Sequence, residues 1–103
     1  MSEARADTSR QSHVLVDVGD GAGALLIFAP PRLAGVEVHI EPVSDPGAAA
    51  HVEVHPRDTP HDTVHAAVFP SLAAGDYVVT CARAGVRTRV SISGAEIAEL
   101  HWD

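Results

Sequence analysis

The chain contains no lysine and no asparagine, and Cys81 is its single cysteine. One cysteine excludes an internal disulfide and every zinc site that is built from several cysteines. A catalytic thiolate needs a neighbouring base and an electropositive surrounding, and the residues next to Cys81 supply neither. A lone cysteine in a strand pattern usually behaves as a small buried hydrophobic residue. We therefore predict that Cys81 belongs to the core.

Positive charge is scarce, because seven basic side chains oppose fourteen acidic ones and the net charge is −7. A nucleic-acid-binding surface needs an excess of Arg and Lys, since phosphate contacts and counterion release drive the association. An anionic membrane surface selects basic proteins for the same reason. The composition therefore predicts neither nucleic acid nor a membrane surface as a partner.

Long apolar runs are missing as well. No segment of the sequence approaches the roughly 20 apolar residues that span a bilayer, and residues 1–11 lack the apolar stretch of a signal peptide. We expect a cytoplasmic protein. Residues 1–11 are polar and non-periodic, which predicts a disordered tail in front of a single domain at 12–103.

Short alternating apolar runs, separated by clusters of Gly, Pro and Asp, occupy most of the chain. Aromatic residues make up only 4% of it, so Val, Leu, Ile and Ala must form the core, and β-branched valine favours strands. The candidate strands are 13–18, 24–29, 35–41, 50–55, 63–69, 76–83, 86–93 and 96–102. The pattern predicts an all-β, antiparallel β-sandwich of about seven or eight strands.

Turn residues mark the boundaries between these strands. Pro56 is expected to end the fourth candidate strand, because proline cannot donate a hydrogen bond to a β-ladder. A polar loop is expected at 57–62 and another turn at 70–75. The strands 76–83 and 86–93 are expected to form a hairpin through a short connection.

The segment Leu72-Ala73-Ala74-Gly75-Asp76-Tyr77 places an apolar residue, a glycine and a tyrosine just before that hairpin. Gly75 permits a tight corner, and Tyr77 can bury its ring while its hydroxyl finds a backbone partner. Over 72–100 the sequence resembles the transthyretin-like, or carboxypeptidase-regulatory-like, β-sandwich modules, with Ala74 as a mild departure before the glycine. The resemblance implies an Ig-like or transthyretin-like sandwich, and such modules serve accessory, adhesive and ligand-binding roles. The full chain is also similar to short bacterial proteins, sometimes labelled phospholipases, but none of its residues supports that label.

Histidine is the unusual component, with seven in the chain. In His51-Val52-Glu53-Val54-His55 three polar side chains lie at period 2, so a regular strand presents them on one face, about 6–7 Å apart. If the preceding strand pairs as a hairpin, it presents Glu37, His39 and Glu41 on the same face. His39 then lies near His51 or Glu53, at about 5 Å. Imidazoles with a carboxylate suit zinc, nickel or copper(II), so His39, His51, Glu53 and His55 are candidate metal ligands. The competing interpretation is a solvated polar face, for which His and Glu are ordinary residues.

A second polar cluster contains His61, Asp62 and His65, with Asp58 just upstream. It is compatible with a metal or an acid–base pair, but segments rich in Asp, Thr and Pro are more often plain loops. The sequence contains no helical His-Glu-x-x-His and no Gly-x-Ser-x-Gly, so hydrolase chemistry has no motif to support it.

The leading hypothesis from the sequence is a small non-catalytic binding or protein-interaction module without a resident cofactor. Its partner is an unidentified protein or a second copy of the chain. The alternative is a metal-binding or metal-sensing protein that uses the histidine-rich face. The residues by themselves do not decide between these two functions.

Overall fold

Strands dominate the computed structural model, which describes residues 22–103. The strands are β1 (Ala22–Ala29), β2 (Glu37–Pro42), β3 (Ala50–Glu53), β4 (His55–Asp58), β5 (Thr63–Ala73), β6 (Gly75–Cys81), β7 (Val86–Ile92) and β8 (Ile97–His101). A short 3-10 helix follows β1, at Pro31–Leu33. The predicted all-β fold is confirmed for this part of the chain. The tail predicted at 1–11 and the strand predicted at 13–18 lie outside the described residues.

Two four-stranded sheets face each other in a β-sandwich. Sheet I has the strand order β4-β5-β1-β8, and sheet II has the order β3-β2-β6-β7. Neighbouring strands are antiparallel except for β1 and β8, which are parallel. The predicted hairpin of β6 with β7 is confirmed, and β2 and β3 pair as a hairpin, the condition on which the expected proximity of His39 to His51 depended.

The hydrophobic core lies between the inner faces of the two sheets. Because side chains alternate along a strand, every second residue of β1, β2 and β6 enters this layer. Its buried members are Leu25, Ile27, Val38, Ile40, Val54, Ala67, Phe69, Tyr77, Val79, Cys81 and Ile92. Each fully buried Val, Leu or Ile contributes about 1.5–3 kcal/mol relative to an exposed position. Cys81 is fully buried, as predicted.

The predicted strand at 50–55 is wrong in one respect, because the chain changes sheets at Val54. The Val54 amide donates to the carbonyl oxygen of Val36 at 3.0 Å, and its carbonyl accepts the Gly35 amide at 2.8 Å. One residue later, His55 begins β4 at the edge of sheet I, opposite Ala66 of β5. Both sheets face one core, so inward and outward side chains continue to alternate through the crossing. The sequence pattern therefore reads as a single strand.

Two proline boundaries also differ from the prediction. Pro56 does not end a strand but lies inside β4, and Arg57 and Asp58 belong to that strand and not to a loop. An edge strand tolerates proline because the backbone on one of its sides has no neighbouring strand to which it must donate a hydrogen bond. Pro70 likewise lies within β5, which extends to Ala73. The register with β1 shifts opposite Pro70, between Gly23 and Leu25, so the ladder is already interrupted there.

The β5–β6 corner has the geometry that the Gly-x-Tyr segment predicts. Gly75 has a φ of +147°, a conformation that L-residues with a side chain rarely adopt. Tyr77 is 6% exposed, and its hydroxyl donates to the carbonyl oxygen of Ala73 at 2.6 Å. The predicted backbone partner of the tyrosine is therefore confirmed.

Candidate functional site

The outer surface of sheet II carries the candidate site. Val38 and Ile40 of β2 enter the core, so their neighbours along the strand point to the opposite side. The register of the four strands then orders the outward side chains into rows. We call this surface the polar face, and its residues are Glu37, His39, Glu41, His51, Glu53, Asp76, Val78, Thr80, Arg87, Arg89 and Ser91.

His39 and His51 are direct cross-strand partners on this face. Their ring centroids are 5.4 Å apart and the rings are tilted by 36°. The carboxylate of Glu37 reaches both imidazoles, with 3.2 Å to Nε2 of His39 and 3.9 Å to Nε2 of His51. The two histidine side chains are 50% and 58% exposed. The proximity predicted for His39 and His51 is confirmed, and Glu37 joins them.

The other two predicted ligands are placed differently. Glu53 pairs with Glu37 across the β2–β3 hairpin, so it lies beside the histidine pair. His55 belongs to β4 of sheet I, so it is not a member of the same strand face as His51 and Glu53, contrary to the prediction. Its Nε2 still lies 3.9 Å from Oε1 of Glu53. Within residues 22–103, no group of three or more His, Cys, Asp and Glu side chains is arranged to hold a metal ion.

One row of the polar face runs across all four strands of sheet II. His51 pairs with His39, His39 with Thr80, and Thr80 with Arg87. The β3–β2 side therefore carries imidazoles and carboxylates, the β7 side carries guanidinium groups, and a small hydroxyl lies between them. Only the strand order brings Arg87 into the row with the histidines.

Asp76 lies near the end of this face that is farther from the histidines. Its carboxylate accepts a hydrogen bond from the Ser91 hydroxyl at 2.6 Å and from the Arg89 guanidinium at 2.8 Å. These bonds, with Ser91 contributing most, lower the pKa of Asp76 below its ordinary value. Sequence reasoning missed this cluster. The register of the predicted β6–β7 hairpin was the available signal, because Asp76 and Ser91 are cross-strand partners.

An open cleft of about 410 Å³ adjoins the histidine pair at one end of sheet II. Glu37 and His39 form part of its wall, and Arg32 and Arg83 approach it from the 3-10 helix and the β6–β7 turn. The Arg32 guanidinium donates to the backbone oxygen of Asp103 at 2.9 Å. The cleft adds a concave, mixed-charge border to the polar face.

The second polar cluster lies at the hydrogen-bonded turn between β4 and β5 and at the adjoining ends of these strands. The Thr59 hydroxyl accepts the Asp62 amide at 3.0 Å and donates to the Asp62 carbonyl oxygen at 2.8 Å. The Thr63 hydroxyl donates to the Asp58 carboxylate at 3.0 Å. These bonds stabilise the local chain conformation, so Asp58 and Asp62 have structural partners in the β4–β5 hairpin.

A third histidine environment was not foreseen from the sequence. On sheet I, the ring of His101 stacks on Phe28 with 5.0 Å between centroids. Its Nε2 contacts Oε1 of Glu99 at 3.0 Å. The parallel pairing of β8 with β1 creates this contact, and no local sequence signal predicts that pairing.

The fold and the polar face together define a small β-sandwich protein with an open, charged sheet surface. Comparison of the chain with protein-family models, curated proteins and solved structures finds no match. The part of the chain that the structure describes has no helix of the length and apolar character needed to cross a membrane.

Proposed function

We propose that this chain is a small non-catalytic binding module that contacts a protein partner through the polar face. The observation that carries the proposal is the row from His51 through His39 and Thr80 to Arg87, which runs in register across four strands. The carboxylates of Glu37 and Glu53 beside the histidines and the guanidinium of Arg87 at the far end of the row hold opposite charges in a fixed order. Fixed charge order on a surface favours specific association, because a wrong partner meets like charges.

The exposure of the face supports binding in preference to catalysis. The side chains of Glu37 and Glu53 are 53% and 50% exposed, so water reaches the charges of the face. Acid–base and nucleophilic catalysis gain from a closed site that excludes water. A solvated face on rigid strands instead positions side chains for a partner that brings its own complementary surface.

The direct test places a large side chain at the centre of the polar face. Thr80→Arg is compared with Ser71→Arg, which makes the same kind of change at an exposed position of sheet I. The immobilised full chain is used to capture partners from the cytoplasmic fraction, the compartment predicted from the sequence. We expect the original chain and Ser71→Arg to capture a stoichiometric partner. Thr80→Arg should capture at least about tenfold less of that partner, because central interface positions dominate affinity.

Two outcomes contradict the proposal. One is the absence of any stoichiometric partner from the original chain. The other is equal capture by Thr80→Arg, provided that its unfolding free energy shows it to be folded. If Thr80→Arg does not fold, the test uses the double variant Val78→Thr, Arg87→Ala, which makes two milder changes on the same face.

A second candidate function, metal binding, is favoured by the direct pairing of His39 with His51. Imidazole nitrogen is a preferred ligand of zinc, nickel and copper(II). A metal that binds only the native state raises the melting temperature by mass action. We expect the melting temperature of the chain without an affinity tag to be higher with zinc, nickel or copper(II) than with a chelator. An unchanged melting temperature at metal concentrations well above micromolar contradicts this second function.

A further inference from the structure

The histidine pair on sheet II places two imidazole rings, whose nitrogen atoms are ordinary zinc ligands, side by side. His39 and His51 are opposite each other on adjacent strands, a spacing of about 4.5–5.5 Å between Cβ atoms that lets two side chains turn towards one point. Both Nε2 atoms already lie within 4 Å of the Glu37 carboxylate, at 3.2 and 3.9 Å. The pair therefore offers two nitrogen ligands beside a negative charge.

Residues 22–103 of one copy do not complete the site. Structural zinc is almost always bound by four protein ligands in a tetrahedron. No three or more His, Cys, Asp and Glu side chains between residues 22 and 103 are arranged around one metal position. A stable structural zinc site on this face therefore needs ligands in addition to those of this part of one copy.

Two-fold symmetry supplies the missing ligands in the simplest way. In an isologous dimer each copy presents the same surface to the other, so a second His39–His51 pair faces the first across the axis. Both histidines are at least half exposed, and β3 is an edge strand of sheet II, so this corner of the sandwich is accessible to another copy. A metal on the axis then has four imidazole ligands.

Charge disfavours such a dimer in the absence of a metal. Each copy has a net charge of −7, and Glu37 and Glu53 are opposite each other next to the histidines. Two such surfaces repel when they approach without a cation. A divalent ion between them offsets this repulsion, and imidazole ligands select zinc over magnesium or calcium, which prefer oxygen.

We propose that zinc joins two copies of this chain through His39 and His51 of each copy. The proposal rests on the metal-binding function of the polar face and names a second copy as the partner that the metal recruits, in addition to the partner that the face contacts without zinc. It omits His55 from the ligand set, because that residue belongs to sheet I.

The test is sedimentation of the full chain, without an affinity tag, in a chelator and in zinc. We expect a monomer in the chelator and a dimer in zinc, with one zinc ion for two chains by elemental analysis of the dimer fraction. His39→Ala and His51→Ala should each weaken zinc-dependent dimerisation by about tenfold or more, since even outer-shell changes cost that much. The matched controls, His55→Ala and His61→Ala, should dimerise as the original chain does.

Four results overturn the proposal: a monomer in zinc well above micromolar, a dimer that persists in chelator, one zinc ion bound to a monomer, or a zinc dimer of the His39→Ala, His51→Ala double variant. Because the two histidines are exposed, all variants should unfold in chelator like the original chain. Partner capture by Thr80→Arg is measured in chelator, so it reports on the proposed function without zinc. Failure of the dimer and failure of the proposed function are thereby separated.

Discussion

The hydroxyl of Tyr77 donates a hydrogen bond to the carbonyl oxygen of Ala73, with 2.6 Å between the two oxygens. The bond spans the corner at which the chain leaves sheet I and enters sheet II. The ring of Tyr77 is part of the core. The same residue therefore stabilises the corner both by the packing of its ring and by the hydrogen bond of its hydroxyl.

Tyr77→Phe removes this bond while it retains the ring. We expect the free energy of unfolding to fall by about 1 kcal/mol, the usual net contribution of one hydrogen bond. Tyr77→Leu should cost more because it also removes ring contacts. Denaturant unfolding measures both variants, and an unchanged midpoint in Tyr77→Phe would mean that the hydroxyl does not stabilise the corner.

Gly75→Ala tests the backbone of the same corner. An added Cβ meets no atom within 4 Å, but the φ of +147° strains any side-chain-bearing residue. We expect a loss of about 1–3 kcal/mol in the free energy of unfolding. Gly47→Ala is the matched control, because Gly47 has no such φ and its added Cβ would lie 3.7 Å from the nearest atom. Equal effects of the two substitutions would refute the strain argument.

Val54→Thr tests the point at which the chain changes sheets. The Val54 side chain is fully buried, so the new hydroxyl enters the core in place of a methyl group. We expect a loss of about 1–3 kcal/mol, the cost of a buried polar group without a partner. Val43→Thr makes the same change at a residue that is 42% exposed and should stay within about 0.5 kcal/mol of the original chain. Denaturant unfolding compares the two.

Ser91→Ala tests the cause of the Asp76 shift. The Ser91 hydroxyl is the largest contributor to the lowered pKa of Asp76, so removing it should raise that pKa towards its ordinary value. The NMR chemical shift of the Asp76 carboxyl carbon, followed as a function of pH, gives the titration midpoint in the original chain and in Ser91→Ala. Ser71→Ala serves as the control. A midpoint that Ser91→Ala leaves unchanged would assign the shift to another group.

The same shift predicts the direction of the pH dependence. A carboxyl group whose pKa is lower in the folded state stabilises the fold at pH values above its unfolded pKa. This contribution is lost as the pH falls through the folded pKa. The stability difference between the original chain and Ser91→Ala should therefore be present at neutral pH and disappear in acid, and urea unfolding over the acid range measures it.

Local sequence signals predicted most of the strands and the β6–β7 hairpin. The alternation of Val36, Val38 and Ile40 and the turn residues after them act over a few residues, so they are readable without knowledge of the fold. The Gly75–Tyr77 corner was predicted for the same reason. The approximate position of the histidine pair followed from a hairpin, which joins neighbouring segments of the chain.

What the tertiary structure alone decided are the contacts between distant segments. The crossing at Val54 places His55 on sheet I. The sequence does not reveal this crossing, because a core shared by two sheets gives one uninterrupted alternation of apolar residues. The parallel pairing of β8 with β1 and the row that aligns Arg87 with His51 depend on strand order, which no local pattern encodes. The residue types of the histidine-rich face were thus determined by the sequence, and their grouping into one pair with Glu37 was determined by the fold.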